Sequence, residues 1–133
     1  MRYLLDTDTF SFVARDANAA LTARFRSAAP QDLALSVISR GEIEFGLATH
    51  APKLLTLERA LGLLEAVTTL PLATSAAARY RDLRAHLHKR GTPIGPNDMW
   101  IAAHALSEGL TVVTNNEREF RRVPGLLVEN WMR

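Results

Sequence analysis

Cysteine is missing from this chain of 133 residues, so disulfides, thiolate metal centres and cysteine nucleophiles are all excluded. That absence suits a reducing compartment. Lysine is scarce as well, with Lys53 and Lys89 standing against 14 arginines. No apolar run approaches the ~20 residues that a membrane-spanning helix needs. The first apolar run, Tyr3-Leu4-Leu5, is cut off by Asp6 and is too short and polar for a signal peptide. A soluble, cytoplasmic protein is therefore expected. What remains is an ordinary globular balance, 47% hydrophobic and 23% charged. The length predicts one domain over residues 1–133, large enough to bury a core without staples. Net charge is +2 with a pI near 9.5. Arginine binds phosphate with a planar two-pronged donor set and stacks on bases, so the basic excess points weakly towards nucleic acid. A GC-rich coding composition, which enriches arginine and alanine together, explains the same excess equally well.

The hydrophobic pattern alternates short apolar runs with amphipathic segments. Strands are predicted at Tyr3 to Leu5, Leu33 to Val37, Val67 to Leu70, Leu110 to Thr114 and Leu126 to Val128. Helices are predicted over Thr7 to Arg15, Asn18 to Ala28, Ser39 to Thr49, Pro52 to Ala66, Ala73 to Arg90, Asn97 to Glu108 and Asn116 to Arg121, with Gly91 and Gly109 as natural stops. Strands that are apolar throughout imply a parallel sheet covered on both faces, a three-layer α/β/α fold. Sites in such sheets form outside the carboxyl ends of the strands, which directs attention to the residues after each strand.

Acids and amides recur there. Asp6 ends the first strand, and a capping role for it competes with a functional one. Glu42 lies in Ser39-Arg40-Gly41-Glu42, which also reads as a capping box. Asp98 follows Pro96 and Asn97, where Asn97 makes a good N-cap and the helix dipole favours an acid in the first turn. Asn116 and Glu119 follow the strongest strand in a capping-like arrangement. Each acid alone is explained by local structure; their convergence is not. Several carboxylates in one crevice repel and are driven towards protonation unless a cation neutralises them. A hard divalent ion such as Mg²⁺, with Mn²⁺ as a substitute, suits oxygen ligands of this kind.

Taken in order, Leu4-Leu5-Asp6-Thr7, Ser39-Arg40-Gly41-Glu42-Ile43-Glu44-Phe45-Gly46, Pro93-Ile94-Gly95-Pro96-Asn97-Asp98 and Val113-Thr114-Asn115-Asn116-Glu117-Arg118-Glu119-Phe120 resemble the PIN domain. More narrowly they resemble the VapC toxins of VapBC toxin–antitoxin pairs, as does the closing Arg122-Val123-Pro124-Gly125-Leu126 with Glu129-Asn130-Trp131. The resemblance runs nearly end to end. It implies a metal-dependent endoribonuclease with Asp6, Glu42 and Asp98 as the core acids and metal ligands. It places a fourth site position at Asn116, assisted by Glu119. Many PIN domains have an aspartate at that fourth position, and Asp8 departs from the asparagine common two residues after the first acid. The resemblance further implies a homodimer, a VapB-type antitoxin that blocks the site, DNA contact only through that antitoxin, and a structured RNA such as tRNA as substrate. Metal-assisted hydrolysis would leave a 5′-phosphate and a 3′-hydroxyl. Arg79, Arg84, Arg90 and Arg118 are candidates for positioning the RNA backbone, against a solvated-helix reading of each.

Two other readings compete. Asp6-Thr7-Asp8-Thr9 after an apolar strand matches the first motif of haloacid-dehalogenase-like phosphatases, with Asp6 as nucleophile and Ser36 in the place of their second motif. A PIN-like module that binds RNA or a partner without cutting is the non-enzymatic alternative. His50, His86, His88 and His104 form no convincing metal set, and Trp100 and Trp131 read as packing residues.

Overall fold

The computed structural model describes residues 1–50 and 52–133. Five short strands form one sheet in the order β3-β2-β1-β4-β5, and every pairing is parallel. They are β1 (Tyr3–Leu5), β2 (Leu33–Ser36), β3 (Thr68–Leu70), β4 (Thr111–Val113) and β5 (Val128–Glu129). The first two crossovers carry α1 (Thr7–Ala14), α2 (Ala19–Ser27), α3 (Val37–Thr49) and α4 (Leu54–Ala66). The remaining ones carry α5 (Thr74–Arg90), α6 (Pro96–Glu108) and α7 (Glu117–Phe120).

The three central strands β1, β2 and β4 are buried on both sides because successive side chains alternate between two cores, while the edge strands β3 and β5 are only partly covered. Tyr3, Leu5, Leu33, Leu35 and Val113 point into a core closed by Phe10, Leu21, Ile43 and Leu64 of α1 to α4. Leu4, Ala34 and Val112 point into a second core closed by Leu83, Leu87, Ile101 and Phe120 of α5 to α7. Burying each of these leucines contributes about 1.5–3 kcal/mol, which is what holds such short strands in register. Trp131 returns to the first core and meets Tyr3 edge-on at 4.9 Å, so it packs inside the protein as expected.

The three-layer architecture is the one the pattern predicts, and the differences lie at element ends. Val37 belongs to α3 and not to β2, because Ser36 caps that helix by accepting from the Ile38 N–H at 3.1 Å. Helix α4 starts at Leu54 and not at Pro52. Helix α6 starts at Pro96 with Gly95 as its cap, so Asn97 is not the cap. The last strand is Val128–Glu129 and not Leu126 to Val128; Leu127 offers only its carbonyl, to the Val112 N–H. Gly91 and Gly109 end α5 and α6 with φ of 65° and 68°, a left-handed conformation that costs glycine least. Strand order reverses between β1 and β4, which opens a crevice at their carboxyl ends.

Candidate active site

Asp6 occupies that crevice. It follows β1, is 4% exposed, and is the N-cap of α1: Oδ1 accepts from the Thr9 N–H at 2.9 Å. Its other oxygen, Oδ2, accepts from the Thr114 hydroxyl at 2.5 Å, directly across the switch between β1 and β4. The Thr114 oxygen in turn accepts from the Asn116 N–H at 2.8 Å. Burial nevertheless raises the Asp6 pKa above its usual 3.8, outweighing these hydrogen bonds.

Glu42 approaches from α3. Because Ser36 is the cap, Glu42 lies in the second turn of α3 and does not close a capping box with Ser39, whose hydroxyl is buried without a partner among the described residues. The Glu42 carboxylate instead accepts from the Thr7 hydroxyl at 2.6 Å, which ties α3 to the start of α1.

Asp98 is the third residue of α6 and reaches back over Gly95; a Cβ on Gly95 would sit 3.5 Å from its Oδ2. In a capping box such an acid would take the cap N–H. Here the Gly95 N–H donates to Glu119 of α7 at 3.0 Å. Asp98 is left facing Glu119, and its pKa is pushed up to about 7. Burial is the largest cause, followed by the hydrogen bond and charge of Glu119, then the charges of Asp6 and Glu42. Glu119 is itself held by the side-chain amide of Asn116. Asn116 begins α7 without a side-chain cap and is exposed.

All three predicted acids therefore face one crevice, and Glu119 joins them more closely than its secondary place in the motif implies. Among the described residues none of the four carboxylates forms an ion pair. Among the described residues, too, no three acidic or histidine side chains are already gathered as a metal cluster. Asp6 is turned to its two threonine partners and Glu42 to its one. The donor set is nonetheless oxygen only and anionic, with Asp98 under the charges of the other three, the chemistry that a hard divalent cation relieves. Thr7 and Thr114 were missed by sequence reasoning. Thr114, expected as the last residue of its strand, lies just beyond β4 as Asp6 lies just beyond β1, and that position is the signal it carried.

Other singled-out residues fall elsewhere. Asp8 is exposed on α1. Ser36 is fully buried between the Ile38 N–H and His104 Nδ1, 2.8 Å away, so it offers nothing to a phosphate in the crevice. His104 is fully buried and structural, and burial lowers its pKa from 6.5. Arg79, Arg84, Arg90 and Arg118 are all exposed.

A PIN-domain family model matches residues 3–126 of this chain. The chain belongs to the PIN-domain family. Within it, this PIN domain is 38% identical to the tRNA(fMet)-specific endonuclease VapC of Salmonella typhimurium, over 98% of each chain. It is 37% identical to ribonuclease VapC2 of Haemophilus influenzae over 99% of each. Among solved structures, it superposes on DNA-bound VapBC from Salmonella typhimurium with a TM-score of 0.89, at 35% identity and 98% coverage of both chains. VapBC-1 from nontypeable Haemophilus influenzae gives a TM-score of 0.87 at 30% identity and full coverage of both. These likenesses set the PIN domain in the VapC branch and leave the phosphatase reading without support.

Proposed function

We propose that the chain is the toxin of a type II toxin–antitoxin pair, an endoribonuclease that hydrolyses RNA phosphodiester bonds with Asp6, Glu42 and Asp98 holding Mg²⁺ or Mn²⁺. The observation that carries the reading is that the Asp98 carboxyl lies within reach of the charges of Glu119, Asp6 and Glu42, and that among the described residues none of the four has a cationic partner. Such an arrangement destabilises the fold unless it serves something positive. When bound, a divalent cation lowers the pKa of water and stabilises charge on the reacting phosphate.

The chain's own residues do the rest. Thr9 and Thr114 fix both Asp6 oxygens, and Thr7 fixes Glu42, so these two carboxylates are oriented before substrate arrives. Asp98 holds a proton against Glu119 and must release it to act as a carboxylate. Asn116 is the fourth site residue, orienting Glu119 through its amide and Thr114 through its backbone N–H. In the reaction a water oxygen bonds to phosphorus as the bond to the 3′ oxygen breaks. The leaving oxygen takes a proton, giving a 5′-phosphate and a 3′-hydroxyl.

The Salmonella relative's name supports tRNA as the substrate class. The VapBC complexes support a VapB-type antitoxin as partner, with DNA reached through it. We assign the chain to the cytoplasm, as one domain acting as a homodimer.

Incubating the purified chain with tRNA in Mg²⁺ or EDTA, followed by mapping of the ends, tests this. Metal-dependent cuts with 5′-phosphates are expected. Asp6→Asn should lower cleavage at least about 10³-fold while the thermal midpoint holds or rises, since asparagine still caps a helix. Undiminished cutting by Asp6→Asn, or 2′,3′-cyclic ends, would overturn the assignment.

A further inference from the structure

The face of α5 that looks towards α6 carries a groove of about 300 Å³ in which Tyr80, Arg84 and His88 stand opposite Ile94, Pro96 and Met99. The loop that supplies Pro93, Ile94 and Pro96 to this groove also carries Gly95, whose N–H donates to Glu119 at 3.0 Å and whose Cβ, if it had one, would sit 3.5 Å from Asp98 Oδ2, so groove and acid pair share one loop. The charge of its α5 wall is one-sided. Arg84 and His88 are the basic side chains that line it and no described carboxylate does, while the neighbouring Arg81 is paired with Asp82 at 3.0 Å.

Arg84 is the informative residue. It is exposed, and among the described residues it pairs with no carboxylate. It is nonetheless held: Nη1 donates to the Tyr80 hydroxyl at 2.7 Å, and its guanidinium lies 5.8 Å from the centre of the Tyr80 ring. Tyr80 is in turn stacked on Trp100 at 3.8 Å with 10° between the planes. An arginine that costs side-chain entropy to hold, yet meets no anion of its own chain, keeps most of its five donors for an anion from outside. The guanidinium fork matches two oxygens of a phosphodiester. His88, one turn further along α5, can add a ring N–H. The apolar floor at Ile94, Pro96 and Met99 suits the ribose and base that a phosphate brings with it.

We propose that this groove binds the single-stranded RNA segment flanking the cut, with Arg84 and His88 on one backbone phosphate and the base or ribose against Ile94 and Met99. The proposal rests on the ribonuclease reading, and it assigns the strand a direction away from the acids, along α5.

The test uses the full chain with Ca²⁺ replacing Mg²⁺ to suppress cleavage, and a fluorescently labelled single-stranded RNA of about 15 nucleotides. Arg84→Ala with His88→Ala should raise the Kd about 10-fold and reduce the slope of log affinity against log salt by about 0.7, the share of one phosphate on a single strand. In Mg²⁺ the KM for cleavage should rise in the same proportion while kcat is kept. Arg59→Ala, an equal loss of charge on α4 across the sheet, should change neither Kd nor slope. If the parent cuts RNA and the double variant matches it in affinity and salt slope, the groove is overturned and the nuclease reading stands. If the double variant instead loses self-association in sedimentation while RNA binding holds, the groove is a protein contact and the proposal also fails. A parent that neither binds nor cuts RNA ends both readings.

Discussion

The two walls of the crevice solve the same electrostatic problem differently. On the wall built from α1 and α3, each carboxylate is satisfied by hydroxyls and a backbone N–H: Asp6 by Thr9 and Thr114, Glu42 by Thr7. On the wall built from α6 and α7, Asp98 and Glu119 face each other, and Asp98 keeps its proton to about pH 7. The first wall is fixed by neutral donors and is ready before anything binds. The second is held together by a proton that an arriving cation must displace. Preorganisation and responsiveness are thus divided between two halves of one site.

The contrast is sharpest at Thr114, which serves two partners at once. Thr114→Val leaves a buried carboxylate oxygen and the Asn116 N–H without partners. It should cost about 1–3 kcal/mol by thermal melting and lower cleavage about 10²-fold through misplacement of Asp6. A variant as stable and active as the parent would show that the first wall does not depend on its hydroxyls.

On the other wall, Glu119→Gln keeps the acceptor for the Gly95 N–H but removes the charge beside Asp98. The Asp98 carboxyl should then ionise more readily, moving the acid limb of the pH–rate profile to lower pH. The rate at neutral pH should fall about 10-fold, the usual scale for a supporting residue. An unmoved acid limb would show that Glu119 does not govern the Asp98 proton.

Stability against pH separates the walls without any substrate. The Asp98 carboxyl rises from 3.8 to about 7 on folding, so its contribution is fully present below pH 3.8 and is lost as pH climbs through 7. Burial of Asp6 acts in the same direction. His104, lowered from 6.5, acts in the opposite sense and only below pH 6.5. In EDTA the thermal midpoint should therefore fall by about 2–5 °C between pH 6.5 and 8, and Mg²⁺ at pH 8 should reverse the fall. Asp98→Asn should flatten the profile in that window. A midpoint that climbs across it in the parent would contradict the shared proton. The smallest change is expected for Thr7→Val, whose bond to the half-buried Glu42 is worth about 0.5–1.5 kcal/mol, with a loss of activity of only a few-fold.

The succession of strands and helices along the chain and the positions of Asp6, Glu42 and Asp98 near helix starts were legible because apolar runs mark buried strands and the strand-end rule singles out the residues just beyond them, whereas the order of the strands across the sheet was not. The bonds that place these acids were not legible, since they cross 35 residues from Thr7 to Glu42 and 108 from Asp6 to Thr114. The start of α3 shows how local rules lose. Ser36 and Ser39 are both competent caps, and Ser39 even has Glu42 at capping-box spacing. Packing decided between them: Ser36 meets His104 at 2.8 Å and Ser39 is buried inside the helix. Glu42 is thereby freed from a capping duty that the sequence alone assigned it with good reason. Likewise Asn97 loses the cap of α6 to Gly95, whose N–H is claimed by Glu119 from a segment 24 residues away.

The central position of β1 has a consequence in time. Its outer neighbour β4 and the hydroxyl that steadies Asp6 emerge from the ribosome more than a hundred residues after it. At ~5–20 residues per second the first acid waits roughly 5–20 s for its last support. A chain still being translated thus carries Asp6 without the hydroxyl that steadies it until synthesis is all but complete.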